Sequence, residues 1–454
     1  MSTLDRSKTP KGGPIRNFDF PAVDRRVLKN GLDLRVAHMN RLPVVSLNLF
    51  VRSGESALYG KNAGLAVLAA DALEGGTARR TGSELAEALE RIGARVSATG
   101  GWEGTSIGLS CLAERLDEAV GLLAEAVLEP SFPEEEVARA RDQQLAGIRQ
   151  RAKDPASLAS DTAPTRYFTE GSPYARPIDG SAESIAEMSR DQLRGYASAN
   201  FLPAGGGLIV AGDVETREVE QMVADHFTSW SGAPASIPDF SSEAATRERR
   251  VYVVHRPGSV QTEIRVGHVG AARSTPDYYA LSVANMVLGG MFTSRLNLNL
   301  REKNGFTYGV RSRFSFRSEA GPFEVSTSVG NDVTASAVRE IMVELKAMAA
   351  QGPTADEVAA ARDYAAGIFG LQLETAGQVA ARVTQLVVYG LPERYFDDYR
   401  DNVRDVTTEE VAAAAAIHIR PDEVQVVLVG DADVIGPPVE ELGLGPVEVV
   451  ASPS

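Results

Sequence analysis

Apolar and polar positions alternate from Val45 to Arg52 and again from Thr262 to Val269, the two-residue period of strands with one buried face. Each strand is followed by an apolar helical run, Ala63 to Leu73 in the first case and Tyr278 to Leu288 in the second. Thr81-Gly82-Ser83-Glu84 is a capping box that opens a helix whose stripe is Leu85, Leu89 and Ile92 and whose stop is Gly93. Ser189 with Gln192, and Thr407 with Glu410, mark two more helix starts. Gly93 to Thr99 and Thr105 to Leu112 read as strands joined too tightly for a helical crossover, so they pair antiparallel and the helices collect on one face. The small residues Ala98-Thr99-Gly100-Gly101 are read as the hairpin turn between them. The class is α+β.

The pattern occurs twice. Pro133 to Asp142 resembles Pro353 to Asp363, and Pro203 with Val210-Ala211-Gly212-Asp213 resembles Pro421 with Leu428-Val429-Gly430-Asp431. The near-constant spacing marks a duplicated unit, and two long copies make two homologous domains rather than a solenoid. The division is a flexible N-terminal segment (1–17), a first domain (18–230), a linker (231–249) rich in small and turn residues, a second domain (250–440) and a tail (441–454).

Composition narrows the function. The chain has 454 residues, 43% hydrophobic and 24% charged, enough for more than one well-formed core. A net charge of -15 and a pI near 5.0 argue against nucleic acid and favour a basic or extended peptide. The single cysteine, Cys111, excludes an internal disulfide and a multi-cysteine metal site, and its strand-like surroundings read as a buried, inert thiol. Neither a signal-peptide core nor a membrane-spanning apolar run is seen, so a cytoplasmic location is the expectation.

The most specific chemistry lies between Gly289 and Gly309. Leu296 and Leu300 set a helical face, Gly305 stops it, and Tyr308 to Phe314 is extended, which brings Arg301 and Tyr308 to one helix-to-strand junction. A guanidinium and a phenol there suit a carbonyl or a developing oxyanion. The stretch resembles the second-domain signature of the M16 metallopeptidases, the pitrilysin and mitochondrial processing peptidase family, in which an Arg and a Tyr seven positions later contact substrate. The family's first-domain segment, G-x-A-H-x-x-E-H-x-x-x-x-G-T, corresponds to Gly64 to Thr77. Val67 stands at the first His, Ala70 at the Glu and Asp71 at the second His. The third ligand, a Glu some way on, corresponds to Ala146 or Gly147, which carry no ligand atom. Zinc hydrolysis needs about three protein ligands and a base for the water proton, so no metal is expected in this chain.

The resemblance implies two domains of the LuxS-like metallohydrolase type in a clamshell. It also implies a non-zinc subunit that pairs with an H-x-x-E-H subunit carrying Zn2+, and that supplies Arg301 and Tyr308 to an unfolded or extended peptide held as an added strand. The alternative is a proteolytically inactive scaffold homologue, and an isolated chain pairing with itself is a further alternative. The family's first-domain substrate strand carries Asn where Ser97 stands here, which weakens that edge as a peptide site. No other catalytic centre offers itself. His38, His226, His255, His268 and His418 are too far apart in sequence to share a helix face, and Asp71 with Glu74 reads as the solvated edge of a helix. There is no Gly-x-Ser-x-Gly elbow with a plausible His, and Cys111 has no neighbouring base.

Overall fold

Two six-stranded sheets carry the chain, and the computed structural model describes residue 13 and residues 18–234 and 240–451. Except for Gly13 and the end of the linker, the expected flexible segment and linker residues 235–239 lie outside the described residues. The first sheet contains β1 (Val23–Val27), β2 (Asp33–His38), β3 (Val44–Val51), β4 (Arg95–Gly100), β5 (Thr105–Leu112) and β6 (Gly207–Gly212), in the order β1-β2-β6-β3-β5-β4. The second contains β7 (Arg250–His255), β8 (Gln261–Val269), β9 (Val310–Phe314), β10 (Pro322–Gly330), β11 (Gln425–Gly430) and β12 (Val447–Ala451), in the order β12-β7-β11-β8-β10-β9.

The two orders superimpose strand for strand except at one edge. There the first sheet uses β1, antiparallel to β2, and the second uses β12, parallel to β7. Residues 447–451, placed in a tail by the sequence pattern, are therefore an edge strand. Its side chains are exposed or half-buried, so it lacks the alternation that marks a strand with one buried face. Apart from that pair, β2 with β6 and β7 with β11 run parallel, and the remaining pairs are antiparallel.

The three capping boxes form as read, on Thr81, Ser189 and Thr407. The turn after β4 does not. Ala98 to Gly100 continue the strand, pairing with Ile107 to Thr105, and the reversal falls on Gly101 to Gly104. Residue 100 is glycine because a Cβ there would lie 2.7 Å from the Ala66 carbonyl and the Val67 Cα.

Five helices place the sites: α1 (Leu65–Asp71), α2 (Glu134–Lys153), α3 (Pro155–Tyr167), α4 (Tyr278–Asn285) and α5 (Ala376–Val388). One face of each sheet packs on helices of its own half. The other face is covered by a helix from the opposite half. α5 lies on β3 and β6, where Phe50, Ile209 and Ala211 share a core with Val379 and Val383 of α5 and with Phe369 of the helix before it, Ala355–Leu371. α3 lies on β8 and β11, where Leu158 and Ala159 meet Val254 and Val429. This exchange explains why every residue of β6 and of β11 is buried. Each fully buried aliphatic side chain contributes about 1.5–3 kcal/mol of transfer free energy, so the exchanged helices bind the two halves into one folding unit. Polar contacts fix the register: Asn48 Nδ2 donates to Thr384 Oγ1 at 2.7 Å, and Arg265 Nη2 donates to the Ala156 carbonyl at 3.0 Å. The described end of the linker is tied to the first half by the bridge between Ala244 and Phe168.

Candidate functional site

Helix α1 carries Val67, Ala70 and Asp71, the positions that the sequence resemblance aligns with a metal motif, and buried polar contacts fix its N-terminus. Glu55, wholly buried, accepts from the backbone N–H of Gly64 at 2.9 Å and of Ala66 at 2.7 Å, at the N-terminus of α1. Arg176 Nη2 donates to the same carboxylate at 2.7 Å. Burial pushes the Glu55 carboxyl up, and the Arg176 charge and the backbone donors oppose it. Gln144 on α2 donates to the Asp179 carbonyl at 2.8 Å and to that of Gly64 at 3.4 Å, which ties α2 to the start of α1.

The ligand positions themselves offer little. Val67 and Ala70 present hydrocarbon, and Ala146 and Gly147 lie exposed on α2. Asp71 is the one carboxylate. Partial desolvation raises its pKa and the charge of Asp179 adds to that, while Glu74 is raised by desolvation first. One carboxylate at four positions does not make the three-ligand set that zinc requires, so the residues present do not fit the ion.

Among the described residues, the group of three potential ligand side chains whose donor atoms converge is elsewhere: His255, Asp431 and Asp433. Two of its three side chains already serve the backbone. His255 Nδ1 accepts from the Ala432 N–H at 3.0 Å, and Asp431 accepts from the N–H groups of Gly258 and Asp433. With Nδ1 accepting, the neutral ring carries its proton on Nε2, which leaves no lone pair for a cation.

The other histidines also do structural work. His38 pairs with Asp24, His226 with Asp117 and His418 with Asp277. His268, buried, has its pKa pushed down to about 3 by desolvation, and its Nε2 accepts from the Arg420 N–H. Cys111 is buried, with its thiol pushed up to about 11 by desolvation, so no thiolate nucleophile is available.

Arg301 and Tyr308 line one cleft of about 870 Å³ in the second half. Arg301 sits on a π-helical segment, Asn297–Lys303, and Gly305 at φ 65° turns the chain toward β9. The Arg301 guanidinium stacks over Phe292 at 4.0 Å, and its Nε contacts Glu302 at 3.2 Å. Tyr308 is 99% exposed, and its hydroxyl has no partner among the described residues. From the first half, only Ser160 and Pro164 of α3 reach this cleft, and neither α1 nor α2 lines it. The frame positions and the Arg/Tyr pair are therefore separate sites within one chain.

Two residues that motif reasoning passed over hold the junction in place. Asn297, buried, donates through Nδ2 to the carbonyls of Val310 (3.0 Å) and Met291 (3.1 Å) and accepts from the Val310 N–H at 3.1 Å, clamping β9 to the segment that bears Arg301. Arg295 forms a bidentate pair with Glu357, both contacts at 2.7 Å, and holds that carboxyl down to about 2. The legible signal for Asn297 was a polar residue beside the apolar face of Leu296 and Leu300.

Comparison with known proteins agrees with this layout. Residues 35–177 match the family described as insulinase (peptidase family M16), and residues 187–364 match the peptidase M16 inactive domain. An uncharacterized zinc protease of Mycobacterium leprae is 27% identical over 400 residues, covering 87% of this chain and 88% of that one. One from Bacillus subtilis is 23% identical over 363 residues, covering 79% and 87%. The crystal structure of a peptidase M16 inactive domain from Pseudomonas fluorescens superposes with a TM-score of 0.84 at 26% identity, covering 90% of this chain and 98% of that one. A protease from Helicobacter pylori shares the fold, with a TM-score of 0.83 at 19% identity over 90% of this chain and 99% of its own. With both halves matched and the paired sheets in common, this chain belongs to peptidase family M16.

Proposed function

We propose that this chain is the zinc-free subunit of a heterodimeric M16 metalloendopeptidase, supplying Arg301 and Tyr308 to a peptide bound at the active site of an H-x-x-E-H partner. The observation that carries this reading is the contrast between the two halves. Hydrocarbon stands at Val67 and Ala70, whereas Tyr308 projects an uncommitted phenol into a cleft that Arg301 shares. In this reading Tyr308 donates to the oxygen that gains charge as the peptide carbonyl is attacked, and Arg301 holds a substrate carbonyl or carboxylate. The hydrolytic water belongs to the partner.

The test is to mix the chain with an H-x-x-E-H chain of similar length from the same source and to follow cleavage of an extended peptide. Cleavage should require both chains. Tyr308→Phe should lower kcat about a hundredfold, the usual effect of removing one oxyanion donor, and Arg301→Ala should also weaken turnover. A complex that forms and cleaves equally well with either substitution would instead identify a scaffold, as would a stable complex with no cleavage.

A further inference from the structure

The molecule carries a net charge of -15, yet the cleft beside Tyr308 collects cations. Its charged lining residues are Arg301, Arg311, Arg313 and Glu324. On β9 the residues alternate, with Val310, Ser312 and Phe314 buried and Arg311 and Arg313 exposed, so both guanidinium groups stand on the face away from the core. Across the pair, Arg311 lies opposite Ser326 and Arg313 opposite Glu324.

Glu324 is shared between this group and the interface with α3, because the Arg313 charge acts on it as well as that of Arg265. Tyr167 donates to it at 3.1 Å, and the Arg265 Nε lies at 3.8 Å. Arg311 and Arg313 have no ion-pair partner among the described residues. Three arginines thus face a cleft with one carboxylate, which Arg265 and Tyr167 also share. Fields act over about 10 Å at moderate salt, so this local excess governs a ligand in the cleft more than the distant surface charge does.

We propose that Arg311 and Arg313, beside Arg301, select peptides that place a carboxylate in this cleft, either an Asp or Glu side chain or a free C-terminus. The inference rests on the peptide-binding role proposed above and adds to it a substrate class. Guanidinium groups at alternate positions of a strand match acidic side chains presented by an extended chain, and they bind carboxylate in paired hydrogen bonds.

The test uses the full chain alone, with fluorescein-labelled decapeptides read by anisotropy. One amidated probe carries a central Asp-Glu, a second Asn-Gln and a third Lys-Lys, and a fourth repeats Asn-Gln with a free C-terminus. A carboxylate probe should bind about tenfold tighter than the amidated Asn-Gln probe, with the difference shrinking as salt is raised. Tighter binding of the Asp-Glu probe assigns a side-chain carboxylate; tighter binding of the free C-terminus assigns the chain end. Arg311→Gln with Arg313→Gln should remove the preference, and Arg311→Glu with Arg313→Glu should shift it to Lys-Lys. Both positions are exposed, so circular dichroism and melting should match the parent. Equal affinity for all probes, absence of binding by any of them up to about 1 mM, a preference for Lys-Lys in the parent, or a carboxylate preference that survives the Gln pair would overturn the proposal. The paired-peptidase reading fails separately, through cleavage by the mixed subunits that ignores Tyr308→Phe.

Discussion

Asn297 and Glu357 determine how firmly the Arg301 and Tyr308 junction is held, and neither belongs to the motif that reveals it. Asn297 is buried and bonded to both backbone groups of Val310, so Asn297→Ala leaves buried donors and acceptors unmet. It should cost about 2–3 kcal/mol in denaturant unfolding and loosen β9, and a loss below about 0.5 kcal/mol would contradict the clamp. Glu357 gives a pH signature. Its carboxyl titrates near 2 in the folded chain against an ordinary 4.5, so its pairing stabilises fully above that ordinary value and is lost as pH falls toward 2. Glu357→Gln should lower stability at neutral pH by about 1–2 kcal/mol, reduced by partial exposure. The gap between variant and parent should narrow as pH falls from about 4.5 and close toward pH 2; a gap independent of pH would contradict the assignment. The sequence showed Arg301 and Tyr308 through their spacing. It hid Arg295, whose partner Glu357 lies 62 residues on and is brought near only by folding.

At the level of elements, α1 holds its place because its N-terminus is fixed from below. Glu55, buried, and Arg176, partly buried, come from distant segments and converge as an ion pair, with Glu55 accepting the backbone donors of the helix start. Breaking such a pair leaves a charge without compensation, so Glu55→Ala should destabilise the first half by about 3–5 kcal/mol, read as a fall in unfolding midpoint. A change under about 1 kcal/mol would show that α1 is held by packing alone. Capping boxes and alternating strands were legible because their information is local, within four to eight residues. The turn after β4 was misplaced because Gly100 is small for a reason that sequence does not display, the close approach of α1. β12 was missed because its exposed side chains record no buried face.

Across the whole molecule, the duplication was readable from repeated motifs, whereas the helix exchange was not. α3 and α5 look like ordinary amphipathic helices of their own halves until β6 and β11 are seen buried on both faces. Residues 18–234 made alone should therefore expose Phe50, Ile209 and Ala211, bind a hydrophobic dye and lose cooperative unfolding, and co-expression with 240–454 should restore it. A first half that melts like the full chain would contradict the exchange as a source of stability. Net charge also misleads at this scale. It favours a basic partner, but the cleft that holds Arg301 is itself cationic. Among the described residues, no helix is long and apolar enough to cross a membrane.

Hydrocarbon at Val67 and Ala70 leaves the first half too few ligands for the hydrolytic ion. Zinc titration of the purified full chain, with metal analysis after dialysis, tests it most directly. No stoichiometric zinc and no peptide turnover by the chain alone are expected. One zinc held per chain and lost on Asp71→Ala, with turnover abolished by a chelator, would contradict it.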